Sequence, residues 1–506
     1  MFYMASTISP QRSMALLWLC VVLAVTWSAW LPPIIAKGNK FFYSDSGLEF
    51  RIKGMVYSPQ PNNGDMAKVE NYDWTADDHE SVWQTHLAIM AELGVNTIRL
   101  YSVDPSKSHD KFMCACSKLG MYVLVGMSAP CKNCALLDKM PPTCYPDALF
   151  SRMQMVYNAF AVYDNTLGFS VANENNLLRS LVEDGTQTLQ CAKALLRDVR
   201  NYASSCGETL RQVPIGLDLA DVLPRNRWIQ YYDCIAEDNE FTRAEWLGFN
   251  PYVECDTKTR FKYTQSTALQ VLMKEYKESD YSRPIMFGEF GCNLGVNTID
   301  GWQCQRQFND ARWMNEERDM TDRIVGGSVF EFTTEKSHLR NQSVTKGKDP
   351  GKYGVGYFSP DDCDHDTTPC TFQPYPEFEN LKEAYTKTKN STLSINDFVP
   401  ALKAALRCPR LIPTELRKTP DVPLLNCSAR MPKCDGFKSN NGPKDQARVV
   451  KVGDKLAPTR EALAVKQVRA AVEGSIGSGS SFSAATNLAH DPTTTVMALL
   501  VLIALI

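Results

Sequence analysis

The sequence predicts an α/β protein, a closed (β/α)8 TIM barrel with a disulfide-pinned C-terminal extension and a disordered linker. Three observations lead there. Between about residues 48 and 335, eight short β-rich runs alternate with helix-like stretches. A parallel strand needs a crossover, usually a helix, to reach its neighbour, so eight such units close a barrel. No glycine-rich dinucleotide fingerprint follows the first run, which counts against the open doubly wound sheet, the architectural alternative. The 506 residues are 44% hydrophobic and 22% charged with net charge −3, which excludes wholesale disorder, a strongly basic nucleic-acid binder and a multi-span membrane protein.

The β-rich runs cover 52–57, 96–101, 122–125, 167–173, 214–217, 247–250, 285–289 and 327–332. Between the first two, Val82, Trp83, Leu87, Met90 and Ala91 recur at three-to-four spacing, and Gly94 follows as a helix stop. Similar amphipathic stretches cover 110–119, 147–160, 188–202, 266–276 and 305–318. After about residue 390 the pattern gives way to Pro, Lys and the isolated cysteines Cys408, Cys427 and Cys434. The expected organisation is a leader at 1–36, the barrel at 37–390, a cysteine-containing extension at 391–437, a linker at 438–483 and a C-terminal propeptide at 484–506.

Both ends read as processing signals. Arg12 precedes the apolar run 14–25, with Ser28 and Ala29 just beyond and a second possible cleavage point at Ala36, the layout of a secretory signal peptide. The chain ends on an apolar run, 496–506, too short for the roughly 20 residues of a spanning helix. A polar spacer and the small residues Ser483, Ala484 and Ala485 precede it, so the order fits a GPI-attachment signal with Ser483 as the attachment residue and Ser478 to Ser481 as alternatives in the same small-residue stretch. A plain tail anchor is the rival. Asn341, Asn390 and Asn426 open glycosylation sequons. Seventeen cysteines suit an oxidising compartment, and losing Cys20 with the leader leaves sixteen, an even number that suits complete pairing.

Barrel chemistry sits at the carboxyl ends of the strands. Glu174 closes the fourth run and Glu289 the seventh, each after an apolar stretch. Two carboxylates across a cleft are the equipment of glycoside chemistry: one protonates the leaving oxygen, and the other attacks the anomeric carbon or activates water. Asn173 offers an amide to a sugar 2-hydroxyl, and Tyr252 is placed to hydrogen-bond Glu289. A rim salt bridge is the bland reading of either glutamate alone.

The ordered set Gly54-Met-Val-Tyr57-Ser-Pro59, Asn96-Thr-Ile-Arg-Leu-Tyr101, Ala172-Asn-Glu174, Asn250-Pro-Tyr252-Val-Glu-Cys255 and Gly288-Glu-Phe-Gly-Cys292-Asn293 resembles glycoside hydrolase family 72 over about residues 48–385. These are GPI-anchored β-1,3-glucanosyltransferases of fungal-type cell walls. The resemblance implies a retaining mechanism with Glu174 as acid/base and Glu289 as nucleophile, and puts Tyr57, Tyr101, Asn173 and Tyr252 on active-site positions. It further implies a donor-cleft role for Arg225, with Asp221 or Asp218 as its acidic companion. Cys255 would pair with Cys292, and Cys234 with Cys363 or Cys370. Three departures stand out: Ser58 in place of a family Gln, Gly126 in place of an Asp, and Phe330-Glu-Phe332 in place of a Tyr-x-Tyr pair. The extra cysteines Cys131, Cys134 and Cys144 also mark a divergent branch.

The resemblance further implies β-1,3-glucan chains as donor and acceptor partners, with Tyr57, Tyr101, Trp302 and Phe330 as candidate stacking platforms. A retaining endo-β-1,3-glucanase and a non-catalytic surface glucan-binding protein are the rival functions. Only three cysteines lie beyond residue 400, so the family's cysteine-rich carbohydrate-binding module is expected to be absent. No cofactor, no metal and no nucleic-acid partner are expected: the six histidines form no ligand-spaced cluster, and Cys131-x-x-Cys134 in an oxidising route ends in a disulfide sooner than in metal ligation.

Overall fold

Eight strands pair in parallel around a closed barrel: β1 (Ile52–Val56), β2 (Thr97–Leu100), β3 (Tyr122–Gly126), β4 (Thr166–Asn173), β5 (Ile215–Ala220), β6 (Leu247–Asn250), β7 (Ile285–Phe290) and β8 (Gly326–Val329). The barrel closes where Gly327 pairs with Lys53 and Val329 with Met55. This computed structural model describes residues 28–177, 187–255, 261–293, 306–340, 353–401, 403–410, 412–434 and 437–438. The expected leader up to residue 27, Asn341, Trp302, Ser483, nearly all of the linker and the C-terminal run lie outside the described residues.

Each strand is followed by a helix. These are α1 (Glu80–Glu92), α2 (Asp110–Lys118), α3 (Asp147–Phe160), α4 (Gln187–Ser205), α5 (Arg225–Asp233), α6 (Thr267–Glu278), α7 (Asn309–Glu316) and α8 (Glu377–Thr386). The strands are covered on both faces, which is why they read as continuous apolar runs. Helix α1 buries Val82, Trp83, Leu87 and Met90 and is followed by Gly94 at φ 80°, the left-handed conformation a glycine adopts without strain. Helix α5 buries Trp228, Ile229, Tyr231 and Tyr232, adjacent pairs set among Arg, Asn and Gln, so no three-to-four apolar spacing stands out in the sequence.

A small antiparallel sheet, Ile34–Lys37, Lys40–Tyr43 and Glu49–Phe50, precedes the barrel. Ile34, Phe41 and Phe50 pack with Ile52, Tyr122, Leu167 and Trp246 at or near the strand beginnings, so the sheet closes the end of the barrel opposite the carboxyl ends of the strands. Its tight turn needs Gly38 at φ 57°. The expected leader boundary at 36 therefore falls inside a strand, and Trp30 is already in the core.

The extension runs back over the helices and is bonded to them at three points: Cys408 to Cys234, Cys427 to Cys206 and Cys434 to Cys114. The expectation that Cys234 pairs with Cys363 or Cys370 is corrected. Those two, seven positions apart, close their own turn. The Leu406 and Leu416 amides donate to Asp233 and Glu237, seating the extension on the turn after α5, where Cys408 meets Cys234. Cys255 is bonded to Cys292, Cys131 to Cys134 and Cys144 to Cys191. Complete pairing is also corrected: Cys116 is a buried free thiol, while Cys304 lies outside the described residues.

The Cys206–Cys427 bond spans 221 residues, and removing a long-loop crosslink frees chain entropy in the unfolded state. Replacing both cysteines by alanine is expected to cost about 2–4 kcal/mol in urea denaturation. Peptide mapping without reduction is expected to recover Cys234 with Cys408 and Cys363 with Cys370.

Candidate active site

The site is built outward from a charge in the middle of a strand. Arg99 of β2 is 2% exposed, in a barrel whose strands are otherwise mostly apolar. Its guanidinium donates to Glu289 Oε1 at 2.8 Å, to the Gly288 carbonyl at 3.0 Å and to Asn173 Oδ1 at 2.9 Å, and it pairs with Asp218 Oδ2 at 3.1 Å. Four acceptors on β4, β5 and β7 are thus fixed by one planar donor. Asp218, fully buried on β5, also accepts from Ser170 Oγ at 2.6 Å. Burial raises its carboxyl above the ordinary range, and Arg99 is the largest opposing influence. Glycines make the space: a Cβ on Gly248 or Gly288 would lie 2.0 or 2.3 Å from Asp218 Oδ1.

Glu289 accepts from three donors. Arg99 and the Tyr101 hydroxyl, at 2.5 Å, share Oε1, and the Tyr252 hydroxyl reaches Oε2 at 2.7 Å. Glu174 is placed differently. It follows β4 with φ 52°, a conformation rare for a side chain of this kind, and its amide donates to the Asp218 carbonyl. Its Oε1 accepts a single 2.8 Å bond from Asn250 Nδ2, which also reaches Asn173 Oδ1 at 3.2 Å. Burial, and then the charge of Glu289, push the Glu174 carboxyl up to about 7. One carboxylate is held by three donors and the other is kept protonated to near neutrality, so the two differ in environment as a nucleophile and a proton donor would.

Both glutamates line one cavity of about 790 Å³, with Asn173, Tyr101, Phe330 and Glu331. Tyr252 stands behind Glu289 with its ring edge-on to Phe330. The remaining candidates are elsewhere. Tyr57 is 3% exposed, its hydroxyl bonded to His86 Nδ1 at 2.9 Å and its ring packed on Phe112 and Phe332, so it offers no free face for stacking. Arg225 pairs with Asp221 and Glu275, not Asp218, and neither Arg225 nor Asp221 lines the cavity. Asn390 and Asn426 are exposed.

Arg99, Asn250 and Glu331 carry no role in the sequence reading. Their common signal is a polar residue in or at the end of an apolar barrel strand. Glu331 is 1% exposed, its Oε1 has no hydrogen-bond partner, and burial with the nearby charges of Glu335 and Glu289 raises its carboxyl well above the ordinary range. Gly126 explains itself: a Cβ there would lie 2.0 Å from the Tyr101 carbonyl oxygen, so no side chain fits.

A (β/α)8 barrel with two glutamates at the ends of β4 and β7 has the architecture of a glycoside-processing enzyme. Residues 23–349 match the glucanosyltransferase model of glycoside hydrolase family 72, and the chain belongs to that family. It is 29% identical over 361 residues to the 1,3-beta-glucanosyltransferase gel1 of Aspergillus fumigatus, covering 71% of this chain and 66% of that one. It is 30% identical over 363 residues to the 1,3-beta-glucanosyltransferase GAS5 of Saccharomyces cerevisiae, covering 71% and 63%. The matches thus span just under two thirds of these relatives' length. Among solved structures, Gas2p of Saccharomyces cerevisiae in complex with laminaritriose and laminaritetraose superposes with a TM-score of 0.60 at 28% identity, covering 77% of this chain and 78% of that one.

Because the folded-state pKa of Glu174 is raised, its contribution to stability is fully present below the ordinary carboxylate range and is lost as pH rises through about 7. Glu174→Gln removes that loss. The variant is expected to melt close to the wild type at pH 4 and above it at pH 8, by on the order of 2–3 kcal/mol.

Proposed function

We propose that the protein is a cell-wall β-1,3-glucan glucanosyltransferase that works by retaining double displacement. The observation that carries this is the contrast between Glu289, gripped by Arg99, Tyr101 and Tyr252, and Glu174, whose carboxyl is pushed up to about 7, in one cavity. Glu289 attacks the anomeric carbon of an internal β-1,3 linkage while Glu174 gives its proton to the departing glycosidic oxygen. The bond between sugar and leaving chain breaks, and an ester to Glu289 forms. Glu174, now ionised, takes the proton from a hydroxyl of an acceptor glucan, whose oxygen displaces Glu289 and makes the new glycosidic bond. Asn173, oriented by Arg99 and Asn250, is the partner for the 2-hydroxyl of the donor sugar. Transfer in preference to hydrolysis is supported by the relatives' activity, and Tyr101 and Phe330 supply aromatic surface in the cavity.

The same reading places the enzyme at the outer face of the plasma membrane through a GPI lipid at Ser483, with N-glycans on Asn341, Asn390 and Asn426. Among the described residues no helix is long and apolar enough to cross a membrane. Because Trp30 is in the core and 34–37 form a strand, leader cleavage before Trp30 is the choice that leaves the barrel's closing sheet whole.

Incubation of the secreted protein with a reduced laminari-oligosaccharide tests this directly. Products longer than the substrate are expected; only shorter products would mean hydrolysis, and an unchanged substrate would mean a binding protein. Glu289→Gln and Glu174→Gln are each expected to lower transfer by about 10²–10⁴ or more. In the wild type, kcat/KM is expected to fall as pH rises through about 7, where Glu174 loses its proton.

A further inference from the structure

The end of β3 contributes no side chain to the cavity, because Gly126 abuts the Tyr101 carbonyl and Met127 is fully buried. That wall is instead supplied by the loop after the strand, where Ser128, Ala129, Pro130, Ala135 and Leu136 line the cavity. A loop of small and apolar residues would not hold a shape by packing alone. This one is clamped. Cys131 is bonded to Cys134, the Ala129 amide donates to the Cys134 carbonyl at 3.0 Å, and the Cys134 amide donates to the Cys131 carbonyl at 3.1 Å. Beyond the clamp, the Leu137 amide bonds the Cys144 carbonyl at 2.9 Å, and Cys144 is tied to Cys191 on α4. Both ends of the apolar segment are therefore fixed, and Leu136 is half-buried against the core with its remaining surface toward the cavity. The face of a glucosyl ring that carries axial C–H groups binds such a surface by apolar contact, and a pre-formed wall binds it without an ordering cost.

We propose that loop 128–136 is a sugar-binding wall that sets the donor chain length the cleft accepts, with Pro130 and Leu136 as its contact surface and the Cys131–Cys134 bond as its clamp. This rests on the glucanosyltransferase reading. It assigns the clamp to substrate selection, whereas the catalytic pair is assembled by Arg99 on other strands. Loosening the loop therefore weakens long donors and leaves the chemical step intact.

The test compares kcat/KM for laminarihexaose and laminaritriose in the secreted protein and in three variants, Leu136→Ala, Pro130→Ser and Cys131→Ser/Cys134→Ser, each checked for folding by its melting curve. The hexaose-to-triose ratio is expected to fall about fivefold or more in the folded variants, with kcat at saturating hexaose within about twofold of the wild type. An unchanged ratio in the folded variants, with the wild type active, overturns the proposal and leaves the enzyme reading standing. An equal loss of kcat for both donors also overturns it, because a merely structural loop would behave that way. A wild type inactive on both donors overturns the function reading and this proposal with it.

Discussion

The buried Arg99 guanidinium is the interaction on which the site depends. A cation this deep survives only if its charge is compensated, and here Asp218, Glu289, Asn173 and the Gly288 carbonyl meet the two terminal nitrogens from β4, β5 and β7. The same bonds orient the active-site groups. Glu289 is fixed by a donor that cannot lose its proton, and Asn173 is fixed beside Glu174. The glycines at 248 and 288 follow from this constraint, because Asp218 occupies the space their side chains would need.

The difference between the two glutamates follows from what each is given. Glu289 receives Arg99 and two tyrosine hydroxyls, and Glu174 receives one amide bond from Asn250 in a buried setting near a second carboxylate. Burial and like charge favour the protonated form of Glu174, and its one donor opposes them only in part. The asymmetry that glycoside transfer needs is thus a consequence of which strand faces which, set when the barrel closes.

Much of this was legible in the sequence. The eight strands fall within a few residues of the apolar runs, because strands covered on both faces leave an unbroken apolar signature. Glu174 and Glu289 were visible for the same reason, as charges ending such runs. Helix α5, whose buried Trp228, Ile229, Tyr231 and Tyr232 stand as adjacent pairs among Arg, Asn and Gln, and the sheet at 34–50, which begins inside the expected leader, were not. Arg99 stood in view inside a quoted motif, but its partners lie 74 to 190 residues away, and no local pattern reports them. The pairing of Cys234 was missed on similar grounds: it depends on where the extension runs, and Leu406 and Leu416 set that course by bonding groups beside α5. The surroundings of Tyr57 are not legible in the sequence, because a strand-end aromatic reads the same whether it faces the cleft or, as here, His86 and Phe332.

The account stands on Glu289 being the nucleophile and Glu174 the acid. A 2-deoxy-2-fluoro-laminaribiosyl donor with a good leaving group slows release of a glycosyl-enzyme enough for it to be mapped by mass spectrometry. The label is predicted on the peptide containing Glu289. A label on Glu174, or an active enzyme that turns the donor over with inversion and never carries a label, would contradict it.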